Sequence, residues 1–137
     1  MRYFTVGEAS TILPEVERLV RRLRGLRDEA QASKAALDAL WERLGQGEPV
    51  LDDLLTAQHD LDARAGEAAE AAERLTEIGC VLRDLDLGLI DFPARAGDAD
   101  VFLCWRVGEE AIRFWHSTTE GYAGRKPLSQ LPGGRFH

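Results

Sequence analysis

The sequence predicts an α+β fold, mainly α, in which a long antiparallel helical hairpin of coiled-coil character is followed by a small antiparallel β-sheet of two to three strands. Three observations predict it. Apolar residues recur at steps of three and four over about residues 9–44 and again over about 52–83. The breaker cluster Gly45-Gln-Gly47-Glu-Pro49 separates the two stretches, and beyond Arg83 the step changes to two. At 137 residues the chain has the length of a single domain able to bury its own core.

The first helix opens at Thr5-Val-Gly-Glu8, a capping box in which threonine and glutamate each satisfy an orphan amide of the first turn. Ile12, Leu13, Val16, Val20, Leu23, Leu26, Ala30, Leu37, Leu40, Trp41 and Leu44 then draw one apolar stripe. Pro14 interrupts this helix unless it falls in the first turn, which favours a start near residue 9. Asp52 or Asp53 caps the second helix, whose stripe is Leu54, Leu55, Leu61, Ala65, Ala68, Ala72, Leu75, Ile78 and Leu82. A fold about residue 48 sets the basic run Arg18–Arg27 against Glu70, Glu73 and Glu77, which points away from nucleic-acid binding. It also sets Gly25 and Gly66 where close approach of the helix axes would explain them, and places His59 part-buried near Leu37 and Trp41.

Composition and charge narrow the function. With 45% hydrophobic and 30% charged residues and a net charge of −7, the chain reads as a soluble globular protein. Residues 1–86 hold 11 Lys+Arg against 18 Asp+Glu, whereas residues 87–137 hold six of each, so the deficit lies in the helices. No apolar run approaches the roughly 20 residues of a membrane span. The amino end lacks the apolar core of a signal peptide, so a cytoplasmic location is expected. Two long apolar stripes exceed what a two-helix hairpin can cover, so a homo-oligomer, a dimer through the hairpin, is expected. Cys80 and Cys104, outside any CxxC or Cys/His cluster, read as two small buried hydrophobes.

The richest stretch is VFLCWRVGEEAIRFWH, residues 101–116. Gly108-Glu109 fits the central pair of a two-residue hairpin turn with Val107 opposite Glu110, and a longer turn sets Arg106 against Arg113. Both registers give the same faces. Val101, Leu103, Trp105, Val107, Ile112, Phe114 and His116 form the side that packs on the helices. Phe102, Cys104, Arg106, Ala111, Arg113 and Trp115 form an amphipathic side that meets water or a partner.

His116 is the polar exception on the first side. It is either satisfied structurally by a carbonyl or carboxylate, with Asp91 the nearest candidate, or used as a ligand, proton carrier or latch. With Cys104 on the opposite face, no metal site is expected, and no cofactor motif is present. The segment 117–128 is glycine-spaced and ends in Arg125-Lys126. It offers amides and a guanidinium to an anion, or pairs Arg125 with Glu109, Glu120 or Asp91. The tail LPGGRFH, with His137, reads as frayed.

YFTVGEASTILPEV, DLDLGLIDFPAR and LCWRVGEEAIRFWHSTTEGYAGRKPL resemble the small bacterial family called domain of unknown function 2203, over nearly the whole chain. The resemblance implies no activity. Its most distinctive positions here are Asp91, Phe92, Pro93, Trp105, Arg106, Gly108, Glu109, Phe114, Trp115, His116, Gly121, Gly124 and Arg125. The leading expectation is a non-catalytic, self-associating interaction module with an aromatic and arginine recognition surface. The alternative is a small-molecule or anion-binding enzyme with a site around Asp91, Arg106, His116 and Arg125, and Glu109 joins these four as a candidate binding residue.

Overall fold

A computed structural model describes residues 2–131, so the expectation of a frayed tail at His137 lies outside the described residues. Helix α1 spans Val6–Gly45 and helix α2 spans Leu51–Ile78. Five strands follow: β1 Val81–Asp84, β2 Leu89–Ala96, β3 Ala99–Arg106, β4 Phe114–Ser117 and β5 Lys126–Pro127. They form one antiparallel meander in chain order, so the sheet has five strands where two to three were expected. The chain clusters into two compact units. One combines residues up to Arg21 with those from Arg74 on, and the other is Arg22–Glu73.

The capping box forms and starts α1 three residues earlier than expected. The Thr5 amide donates to Glu8 Oε1 at 2.9 Å and the Glu8 amide to Thr5 Oγ1 at 3.0 Å. Those bonds hold the Glu8 carboxyl below its ordinary range, the Thr5 amide first among the causes. Pro14 lies within the helix, exposed, between the buried Leu13 and Val16, whose burial carries the helix across the missing amide. Along α1, Ala9, Val16, Leu23, Ala30, Leu37 and Leu44 recur every seventh residue, as do Leu54, Leu61, Ala68 and Leu75 along α2. The short link between the helices and the ion pairs across them make an antiparallel hairpin.

Ion pairs mark the hairpin register. Glu15 meets Arg74 at 2.8 Å in the first unit, and in the second Arg22 meets Glu67 at 3.7 Å and Glu29 meets Arg64 at 3.3 Å. These lie roughly one to two helical turns from the register expected of a fold about residue 48. The acids near the basic run therefore differ: Arg21 pairs with Glu17 and Arg27 with Asp28, both on α1 itself. Being exposed, each such pair contributes only about 0.2–1 kcal/mol. His59 is exposed rather than part-buried, as are Ala65 and Ala72; Ala71 is the buried alanine of this stretch.

Helix α2 stops five residues before the expected end. Gly79 takes φ +101°, a left-handed conformation that closes the helix, and its amide donates to the Leu75 carbonyl at 3.1 Å. This releases Val81–Asp84 to pair with β2. The first unit's core joins Phe4, Ala9, Val16 and Val20 of the amino-terminal segment to Ile90, Phe92, Leu103 and Trp105 of the sheet, all at 3% exposure or less. Phe4 meets Phe92 edge-on with centroids 5.2 Å apart, and the Phe4 amide donates to the Pro93 carbonyl at 2.7 Å.

The hairpin from β3 to β4 departs from both expected registers. Phe102 pairs with His116, Leu103 with Trp115 and Cys104 with Phe114. The tight turn is Arg106–Glu109, closed by the Glu109 amide on the Arg106 carbonyl at 3.0 Å, with Gly108 at φ +103° in its third position. The chain then runs on through Ile112, which is buried, before β4 begins. This seven-residue connection changes the parity, and a one-residue slip exchanges faces. Trp115 thus joins Leu103 and Trp105 in the core, while Phe114 and His116 share a face with Phe102, Cys104 and Arg106.

Gly25 and Gly66 are exposed within helices, with no atom within 4 Å of where a Cβ would stand, so close helix approach does not explain them. Gly25→Ala and Gly66→Ala should therefore each raise stability by about 0.5–1 kcal/mol. Urea midpoints check this; a fall in midpoint would show that the glycines serve a contact.

Candidate functional site

The candidate site lies on the sheet face opposite the helix-packed core. Pairing of Asp91 with Cys104 across β2 and β3, and of Phe102 with His116 across β3 and β4, puts an acid, a thiol and an imidazole on that one face. All three are buried: Asp91 is 1% exposed, His116 3% and Cys104 0%. The face is not open to solvent as expected, because residues 118–125 return across it.

His116 Nε2 lies 3.0 Å from both Asp91 oxygens, and Nδ1 lies 2.8 Å from the Ser117 carbonyl. A carbonyl only accepts, so Nδ1 carries a proton and donates. A second proton must lie between Nε2 and the carboxylate. Arg83 Nε donates to Asp91 Oδ2 at 2.9 Å, and its guanidinium stands 4.9 Å over the Phe102 ring. An acid that meets an imidazole through both oxygens and a guanidinium through one of them is the centre of a short charge relay. Its outer end, Arg83, is 44% exposed along its side chain.

This relay borders a cavity of about 250 Å³ lined by Leu89, Phe102, Thr118, Glu120, Gly121 and Tyr122 as well as Arg83, Asp91 and His116. Glu120 on its rim accepts from Lys126 Nζ at 2.6 Å and from Ser117 Oγ at 3.0 Å. Lys126 first, then Ser117, holds the Glu120 carboxyl below its ordinary range, so it is ionised at neutral pH.

The other expected site residues form a second cluster on the same face. Arg125 pairs with Glu109, one of its bonds measuring 3.1 Å, and stacks 3.9 Å from the Phe114 centroid and 4.5 Å from that of Tyr122. Glu109 Oε1 also accepts from the Arg106 amide at 2.7 Å, and Arg106 Nη1 donates to the Tyr122 hydroxyl at 3.1 Å. Arg106 and Arg125 are thus engaged within the protein, holding Tyr122 and the covering loop. Arg125 Nη1, 3.9 Å from Cys104 Sγ, links this cluster to the acid–histidine pair. Asp91 and His116 are brought together; Arg106, Glu109 and Arg125 stand beside them rather than converging on the cavity.

Three residues of the arrangement were missed by sequence reasoning. Cys104 lies on the expected side, with Phe102 and Arg106, and the turn at Gly97-Asp98 implies its pairing with Asp91; parity put His116 on the opposite side and so hid that the thiol stands beside it. Arg83 was assigned to a helix that ends before it. Tyr122 carries no spacing signal.

Residues 2–128 match one protein family, described as Uncharacterized conserved protein (DUF2203). The chain belongs to that family. No curated protein and no solved structure matches it. No helix among the described residues of this DUF2203 chain is long and apolar enough to cross a membrane.

Burial pushes the Cys104 thiol up to about 11, with Arg125 opposing the shift, and burial does the same to Cys80. A raised folded value means that the stabilisation is whole below the ordinary thiol range and fades as pH rises through about 11. In this DUF2203 chain both thiols are free and protonated at neutral pH, and should react with a thiol reagent only after unfolding. Fast labelling of native protein at neutral pH would contradict that. Removing one partner of a buried pair strands the other charge, so Asp91→Ala should cost about 3–5 kcal/mol in urea unfolding. The double variant Asp91→Leu/His116→Phe should recover much of it; equal losses in both would point to packing rather than charge.

Proposed function

We propose that the protein is a small-ligand binding module whose ligand is a carboxylic acid seated in the cavity beside Arg83, Asp91 and His116. The observation that carries this reading is a buried, ionisable relay that ends in a half-exposed guanidinium on an open cavity wall. A burial cost of several kcal/mol per ion argues for a use beyond stability. Arg83 spends one of five donors on Asp91, and a guanidinium fork suits a carboxylate. Leu89 and Phe102 supply apolar floor, and the ionised Glu120 favours a ligand with a hydrogen-bond donor at its other end. The volume, below the roughly 300–1,000 Å³ of drug-sized pockets, limits the ligand to metabolite size. Arg106 and Arg125 support the cover rather than hold the anion, and an arginine recognition surface on this face would first have to break their bonds to Tyr122 and Glu109.

Small carboxylic acids should shift the amide resonances of Thr118, Gly121 and Tyr122, whereas their primary amides should not. Arg83→Gln should weaken the binding at least about tenfold while leaving the spectrum otherwise native. If no carboxylic acid in a broad panel moves those resonances, or if amides bind as well, the reading is wrong.

A second reading, self-association through the hairpin, is favoured by Trp41, Leu51 and Leu55, which flank the interhelical loop at 54%, 54% and 58% exposure. Light scattering should give a dimer that Trp41→Glu/Leu55→Glu converts to monomer. A wild-type monomer at every concentration would eliminate it.

A further inference from the structure

We propose that Asp91, Cys104 and His116 bind a divalent transition-metal ion of the zinc type, with a fourth coordination position open to the cavity. The three donors, a carboxylate oxygen, a sulfur and an imidazole nitrogen, lie within 4.8 Å of one another and are all buried. Around a tetrahedral ion with bonds of about 2.0–2.3 Å, donors stand about 3.3–3.8 Å apart, so side-chain shifts of about 1 Å or less assemble the set. They sit on adjacent, paired strands, which hold them more rigidly than loops would.

The surroundings orient each donor as a metal site needs. The Nδ1–H of His116 is committed to the Ser117 carbonyl at 2.8 Å, which fixes Nε2 as the nitrogen with the available lone pair. Arg83 holds Asp91 Oδ2 at 2.9 Å, leaving Oδ1 for the ion and making the carboxylate a one-oxygen ligand. Arg125 Nη1, 3.9 Å from Cys104 Sγ, stabilises a thiolate there.

The charge balance also closes. Without metal, the site holds an imidazole–carboxylate pair sharing a proton beside a neutral thiol, for a net charge of zero. The incoming ion displaces the proton between His116 and Asp91 and the proton of Cys104. Ion plus carboxylate plus thiolate again sum to zero, so the flanking Arg83 and Arg125 meet no new net charge. Binding accordingly releases two protons and weakens as pH falls. Three protein ligands with one open position is the arrangement of ions that act on a small molecule rather than brace a fold.

The inference deepens the reading of the cavity as a ligand site, since the open position faces it, and is tested without any organic ligand. Co2+ titrated into the whole protein should produce the intense visible bands of four-coordinate cobalt and a near-ultraviolet thiolate charge-transfer band, saturating at about one equivalent. Zn2+ added to metal-free protein in weak buffer should release about two protons per ion. Cys80→Ala should keep the charge-transfer band, Cys104→Ser should lose it, and Asp91→Asn should weaken binding at least about tenfold. A folded wild-type protein that gives no such band, or a band that survives Cys104→Ser, overturns the proposal. Should Cys104→Ser not fold, the Cys80→Ala variant decides: a thiolate band there can come only from Cys104 and supports the site, and no band overturns it. Cobalt colour with no carboxylate binding leaves this site standing and removes the organic ligand; the reverse result removes the metal alone.

Discussion

A side chain on a β-strand has two choices of direction, and pairing with the neighbouring strand removes the choice. Everything distinctive about the sheet follows from the pairing of Phe102 with His116 rather than with a residue one place away. That register puts the imidazole beside the carboxylate and thiol of β2 and β3 and sends Trp115 into the core, where its indole N–H still reaches the Pro127 carbonyl at 3.1 Å. The Arg106–Glu109 turn secures it from one side. There Glu109 accepts a backbone amide, its carbonyl accepts from Trp105 Nε1 at 3.0 Å, and its carboxylate receives Arg125. One glutamate thereby ties the hairpin turn to the covering loop.

The second constraint is electrostatic. Ionisable groups packed on a buried face are tolerated only as matched sets, and the face carries two. Arg83, Asp91 and His116 form one, and Arg106, Glu109 and Arg125 with the Tyr122 hydroxyl form the other. Among the described residues no buried side-chain nitrogen or oxygen lacks a partner, so the face is complete as a polar network. A stability function alone needs no cavity beside such a network. The proximity of Cys104 to both sets makes the face chemically more specific than either set would be alone.

Most of the architecture was legible in local pattern. The capping box, the three-and-four spacing of both helices, a break after Gly45 and the change to alternation are consequences of sequence spacing, and the structure has all of them. The approach of Asp91 to His116 also followed from strand order. Arg83 was harder: its helical period continues from α2, and what ends the helix is the left-handed Gly79, whose effect depends on the sheet competing for the next residues. The expected surface of Arg106 and Trp115 failed for a sharper reason. Both turns that the spacing suggests have the same parity, whereas the chain uses a turn followed by a spur that buries Ile112.

Sequence alone determined the hairpin, the presence of an antiparallel sheet after it, and which residues carry chemistry, because helix and strand periods and charge are local properties. Tertiary structure alone decided which of those residues share a face. That depends on an odd or even count of residues between strands, and the count is set by where Ile112 finds burial, by Glu109 closing its turn, and by the return of residues 118–125 over the sheet. Each of these joins positions far apart in the chain, and no spacing within a single element encodes them.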